Sequence, residues 1–129
     1  MNREIKFRGK SIMNNTCGDW LYSSGIKYGD DVELMYCDED TSEEWNYIDK
    51  ETLGQYTGLD DKNGKEIYEG DILKSIQWND IYLVKYIGTA FYLCRKGNKG
   101  FNKITTWNNA EKSEVIGNIY DNPELLGGE

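Results

Sequence analysis

From Asp71 onward the sequence keeps returning to one pattern, and that pattern leaves few folds open. DILKSIQW is followed by Asn79-Asp80, IYLVKYI by Gly88-Thr89, and AFYLCR by KGNKG (96–100), after which come FNKITTW and EVIGNIY. Runs of strand length rich in Ile, Val, Tyr and Phe, separated by short turn signals, specify an antiparallel meander. In the first run Ile72, Ile76 and Trp78 share a parity, and in the second Ile81, Leu83 and Ile87 do, which predicts the core side of each. Pro123, after Asn122, is expected to end the last strand.

Composition extends this to the whole chain. Its 129 residues include two alanines, Ala90 and Ala110, against 22 Ile, Val and Thr and 17 aromatics. Alanine is the best helix former, whereas β-branched and aromatic side chains suit a pleated surface, so the chain reads as mostly β. EIKFRGKSI is predicted to be a strand with Ile5 and Phe7 on one face, and GDWLYSSGIKY (18–28) a second, glycine-interrupted one. VELMYC (32–37) and EWNYID (44–49) are two more, joined by a solvated DEDTSE. Asn63-Gly64 signals a type I′ hairpin, with Tyr56 and Leu59 before it and Ile67 and Tyr68 after. No repeat, low-complexity linker or composition break divides the chain, which reads as one domain over 1–129.

Charge and missing residue types exclude much chemistry. There are 23 acidic and 15 basic side chains and no histidine, for a net charge of -8. Asp30 to Glu51 holds ten acids and one lysine, so the remainder of the chain is close to neutral. Without histidine the commonest general base and metal ligand are gone, and with them the catalytic-triad layout and most zinc patterns. No GxxxxGK[ST] or GxGxxG phosphate cradle occurs, and the spacing of DDKNG fails the calcium-loop pattern. Cys17, Cys37 and Cys94 are widely spaced and odd in number, which reads as reduced thiols, with Cys94 a small core residue. No apolar run is long enough to span a membrane as a helix and the N-terminus lacks a signal-peptide core, so a cytoplasmic protein is expected.

Four groups of residues remain as candidates for function. The carboxylates of Asp60, Asp61, Glu66, Glu69 and Asp71 form the one dense cluster suited to acid–base work. Asp60 and Asp61 at a turn entrance, and Asp71 at a strand start, suit turn-closing acceptors as well. Arg95, Lys96, Lys99 and Lys103 make a basic patch near Phe91, Tyr92, Phe101 and Trp107, an arrangement that holds single-stranded nucleic acid elsewhere, although the net charge opposes it. Asp38, Glu39, Asp40, Glu43 and Glu44 offer negative charge to a basic partner, as a DNA mimic would, or form a solvated loop. The four tryptophans, Trp20, Trp45, Trp78 and Trp107, read as partly buried core or as interface anchors.

QYTGLDDKNGKEIYEGDIL (55–73) and the ending EVIGNIYDNPELL, with IKFRGK, Trp20-x-Tyr22 and ETLGQYTG, resemble the YopX-like family of phage and prophage proteins. The resemblance implies an SH3-like small β-barrel in the second half, from about Gly70 to 129. The strands of residues 1–69 are expected to pack against it. It also implies a bacteriophage or prophage origin and the bacterial host cytoplasm, and it implies no activity or cofactor. Taken together, the expectation is a mostly β, non-enzymatic accessory protein that works by binding a macromolecule, with a protein partner or self-association favoured over nucleic acid and no membrane.

Overall fold

The computed structural model of the chain describes residues 4–14, 16–37, 43–75, 80–87, 90–97, 100–104 and 112–126. Strand dominates: β1 (Phe7–Lys10), β2 (Trp20–Ser23), β3 (Ile26–Lys27), β4 (Val32–Cys37), β5 (Glu43–Ile48), β6 (Gly54–Asp60), β7 (Glu66–Tyr68), β8 (Asp71–Ser75), β9 (Ile81–Ile87), β10 (Ala90–Gly97), β11 (Gly100–Ile104) and β12 (Ser113–Asn118). Short 3-10 turns occupy Lys50–Thr52 and Pro123–Leu126. The strands form three antiparallel sheets. The chain divides into two compact units, Met1–Tyr56 and Thr57–Glu129.

The first unit is a two-layer sandwich. In one layer β1 pairs with β2 and, through Phe7 and Arg8, with Gln55 and Gly54 at the start of β6. The other layer has the order β3-β4-β5. Alternation along β4 turns Val32 and Leu34 inward, where they join Ile48 in a core packed by Phe7, Leu21, Ile26 and Leu53. The layers meet closely at Gly9: a Cβ there would run into Ile48 Cδ1 and lie 3.2 Å from Ile48 Cβ. They join at a corner, where the Asp49 N–H donates to the Lys10 carbonyl, the Ile12 N–H to the Tyr47 carbonyl, and Ser11 bridges Ile48. The first strand differs from expectation in its face. Ile5 precedes β1 and is 56% exposed, and the buried residues of β1 are Arg8 and Gly9.

The second unit is built on a five-stranded sheet of order β11-β10-β9-β8-β12. The predicted three-strand meander is β8-β9-β10, β11 continues it after the turn expected at 96–100, and β12 returns to pair with β8 through a bulge between Val115 and Gly117. Among the described residues no pairing joins β11 to β12, and the sheet is not closed into a barrel there. Its core gathers Ile67, Leu73, Tyr82, Val84 and Leu93, with Leu59 and Val115 packed against them. Here the predicted parity is corrected. Leu83 is buried, but Ile81 and Ile87 are only half-buried, while Tyr82 and Val84 of the other parity are buried. The centre of the sheet is covered on both faces, which removes the simple alternation. Ile76 and Trp78 lie outside the described residues. The final strand ends at Asn118, and Pro123 opens the last 3-10 turn.

The β6–β7 hairpin forms where Asn63-Gly64 predicts one, but not with a type I′ turn. The Gly64 N–H donates to the Asp61 carbonyl, so Lys62 and Asn63 are the central residues, and Gly64 follows them with φ +81°. The Asp61 N–H donates to the Lys65 carbonyl and closes the loop. This is a type I turn followed by a left-handed glycine, the three-residue hairpin loop.

Candidate partner-binding face

Of the carboxylate cluster of the sequence, Asp61 and Asp71 hold backbone and Glu66 holds a side chain, while Asp60 is exposed at the end of β6. Asp61, 6% exposed, accepts from the amides of Asn63 (2.8 Å), Lys65 (2.9 Å) and, across the unit, Val115 on β12 (2.9 Å). The same loop reaches β12 again through the Lys62 N–H to the Ser113 carbonyl and the Asn63 side-chain amide to Glu114. Asp71, 2% exposed, accepts the Tyr68 N–H at 2.8 Å, and Glu66 accepts the Tyr68 hydroxyl at 3.0 Å. The turn-closing role expected of Asp61 and Asp71 is what the geometry displays.

Burial alone would push the Asp61 carboxyl up, but the amides of Val115, Lys65 and Asn63 and the Lys65 ammonium hold it below the ordinary aspartate value of 3.8. A folded-state pKa below the unfolded one contributes stability that is full above the unfolded pKa. It is lost as pH falls through the folded pKa. Unfolding of the second unit followed by tryptophan or tyrosine fluorescence is therefore expected to be insensitive to this group above about pH 5, and to become easier below about pH 4. Asp61→Asn should flatten that acid limb.

Of the basic patch, Arg95 is the member whose side chain is described. Arg95 donates to the Asp80 carboxylate at 3.3 Å, and the Tyr82 hydroxyl approaches the same oxygen at 3.5 Å. Burial and then the Asp80 charge push the Tyr82 phenol up, with Arg95 acting the other way. Backbone register sets position 95 opposite 102, and positions 96 and 94 opposite 101 and 103. Lys99 and Trp107 lie outside the described residues, as do the side chains of Lys96 and Lys103. Of the acidic segment, Asp38, Glu39 and Asp40 lie outside the described residues, as does the Glu43 side chain. Glu44 is exposed on β5.

The sequence did not single out the outer face of the β3-β4-β5 layer. Register aligns Lys27, Glu33 and Tyr47 in one row and Met35 with Trp45 in the next, all on the side opposite Val32, Leu34 and Ile48. Tyr47 is 42% exposed, and Met35 and Trp45 are half-buried. Ile12, 54% exposed, is tied beside Tyr47 by its N–H. The Lys27 ammonium sits 4.2 Å from the Trp45 ring centroid. Beyond the ends of β3 and β5, the Lys50 ammonium lies 4.7 Å from the Tyr28 ring and donates to the Gly29 carbonyl. On the other layer Arg8 and Lys10 approach Trp20 at 4.6 and 5.5 Å. The signal in the sequence is the Trp45-x-Tyr47 alternation inside the acidic stretch. Of the exposed large hydrophobic residues described, all but Tyr86 belong to the first unit.

A cleft of about 140 Å³ lies beside Gly70, Leu83, Tyr86 and Tyr120, and one of about 230 Å³ beside Thr16, Leu21, Glu44 and Asn46. Both fall below the roughly 300 Å³ at which ligand pockets begin. Among the described residues, no group of three or more Cys, Asp or Glu is placed to hold a metal ion. No helix among them is long and apolar enough to cross a membrane.

The fold and these surfaces define an all-β protein of two antiparallel units whose turn motifs fasten on its last strand. The family model described as YopX protein matches residues 6–127, and the chain belongs to that family. Its two most specific sequence blocks touch, since Asp61 of the first accepts from Val115 of the second and the Gly70 carbonyl from Ile119. The fold is similar to that of the crystal structure of protein EF1440 from Enterococcus faecalis, at 22% identity and a TM-score of 0.52, covering 97% of this chain and 99% of that one. No curated protein matches the chain.

Proposed function

We propose that this is a binding protein with no chemistry of its own, a phage- or prophage-encoded accessory factor that acts in the bacterial cytoplasm through contact with a macromolecular partner. The observation that carries the reading is the engagement of Asp61 and Asp71 by backbone amides. A carboxylate held ionised by three N–H donors is a poor general acid or base near neutral pH. With no histidine in the chain, the side chain that most often carries protons near neutral pH is absent as well. The exposed aromatic residues of the first unit supply what a contact surface needs. The order β11-β10-β9-β8-β12 supports an SH3-like barrel for the second unit: a four-strand meander whose fifth strand returns to the first closes into a barrel once the outer strands meet.

Affinity capture from prophage-induced host cells, with the mass of the eluted complex measured by light scattering, is expected to recover a partner in fixed stoichiometry. Turnover of a substrate by the purified protein, abolished by neutralising one carboxylate while the fold survives, would overturn the reading.

A further inference from the structure

We propose that the outer face of the β3-β4-β5 layer docks a basic protein segment, one whose Arg or Lys side chains flank an apolar anchor. The inference rests on the binding reading above and names the partner's chemistry.

The outward side of a half-buried antiparallel sheet is ordinarily polar. Here it presents Ile12, Met35, Trp45 and Tyr47 around a common centre. Aromatic side chains of this kind are the usual anchors of protein interfaces. Carboxylates gather at one end of that face. Glu33 lies on the face itself, and where Val32 pairs with Ile48 the exposed Asp30 and Asp31 ahead of β4 meet the exposed Asp49 and Glu51 behind β5, so that five acids outweigh Lys27 and Lys50. An apolar patch beside an anionic end is complementary to an apolar group beside a cationic one. Electrostatics decides among the other occupants. A second copy would bring the same acids and a further charge of -8, and nucleic acid or an anionic lipid surface would be repelled in the same way.

The rings also show the chemistry they offer. Trp45 already accepts the Lys27 ammonium at 4.2 Å, so this face attracts cations through its π-systems as well as through its carboxylates. A partner's guanidinium would pair with the carboxylates and compete with Lys27 for the Trp45 ring. Affinity should accordingly fall with added salt while retaining an apolar component.

A randomised dodecapeptide library, selected on the immobilised full chain, tests this directly. Selected peptides are expected to combine Arg or Lys with Leu, Phe or Trp. Their affinity, read by fluorescence anisotropy, should drop at least about tenfold for Tyr47→Ser and for Glu33→Lys, substitutions at non-core positions, and for Trp45→Ala. Tyr86→Ser, on the second unit, should leave it unchanged. Selection of acidic or neutral peptides, equal binding by Tyr47→Ser and Glu33→Lys, or tighter binding to a poly-dT oligonucleotide or to phosphatidylcholine–phosphatidylserine vesicles would overturn the proposal. So would a wild-type dimer, seen by light scattering, that Tyr47→Ser dissociates. Partner capture from host cells that survives Tyr47→Ser and Glu33→Lys would remove this face and leave the binding reading standing.

Discussion

Asp61→Ala is expected to destabilise the protein by about 3 kcal/mol, among the largest single-residue effects in the chain. The change leaves the amides of Asn63, Lys65 and Val115 without their acceptor. Two of these shape the hairpin loop and the third fastens it to β12, so local turn geometry and long-range docking are lost together. A lower urea midpoint with hydrogen exchange rising first at residues 61–65 and 113–115 is the expected result. Asp61→Asn, which keeps one acceptor oxygen at the same place, should lose roughly half as much. Equal stability of Asp61→Ala and wild type would show that these bonds are replaced by water at no cost.

The second large effect concerns the layers of the first unit. Gly9→Ala should cost about 2 kcal/mol, because the added methyl group meets Ile48 inside a packed core. Ile48→Val alone removes the Cδ1 methyl and should cost about 1 kcal/mol. Combined, the two should cost about 1 kcal/mol less than their sum, since valine vacates the space the new methyl needs. Additive effects would mean that β1 and β5 are not in the contact described.

These two cases also show how far the sequence could be read. Strand positions were legible wherever β-branched runs met turn residues, as in VELMYC, IYLVKYI and AFYLCR, because local propensity and pattern agreed there. The turn type at Asn63-Gly64 was not. That dipeptide suits either hairpin loop, and the choice is made by a side chain, Asp61, whose third amide partner lies 54 residues away. Facing was harder than placement. Trp45 and Tyr47 are bulkier than Asn46 and Ile48, so hydrophobicity alone would turn them inward. Tertiary pairing instead places Ile48 against Phe7, Leu21 and Val32 and leaves the aromatic pair outside. Likewise Arg95 looked in the sequence like one member of a basic run, whereas in the fold it pairs with Asp80, 15 residues earlier. The outer face that now carries the binding proposal depended on register, which a single strand does not specify.

The central claim is that Asp61 and Asp71 hold turns of this chain and that its work is done by contact. A carbon-detected NMR titration of the aspartate carboxyl groups addresses it most directly. Asp61 is predicted to titrate below the ordinary aspartate value, with its proton uptake coinciding with exchange broadening at the Val115 amide. An Asp61 inflection near neutral pH, the behaviour of a group poised to carry protons in catalysis, would contradict the account.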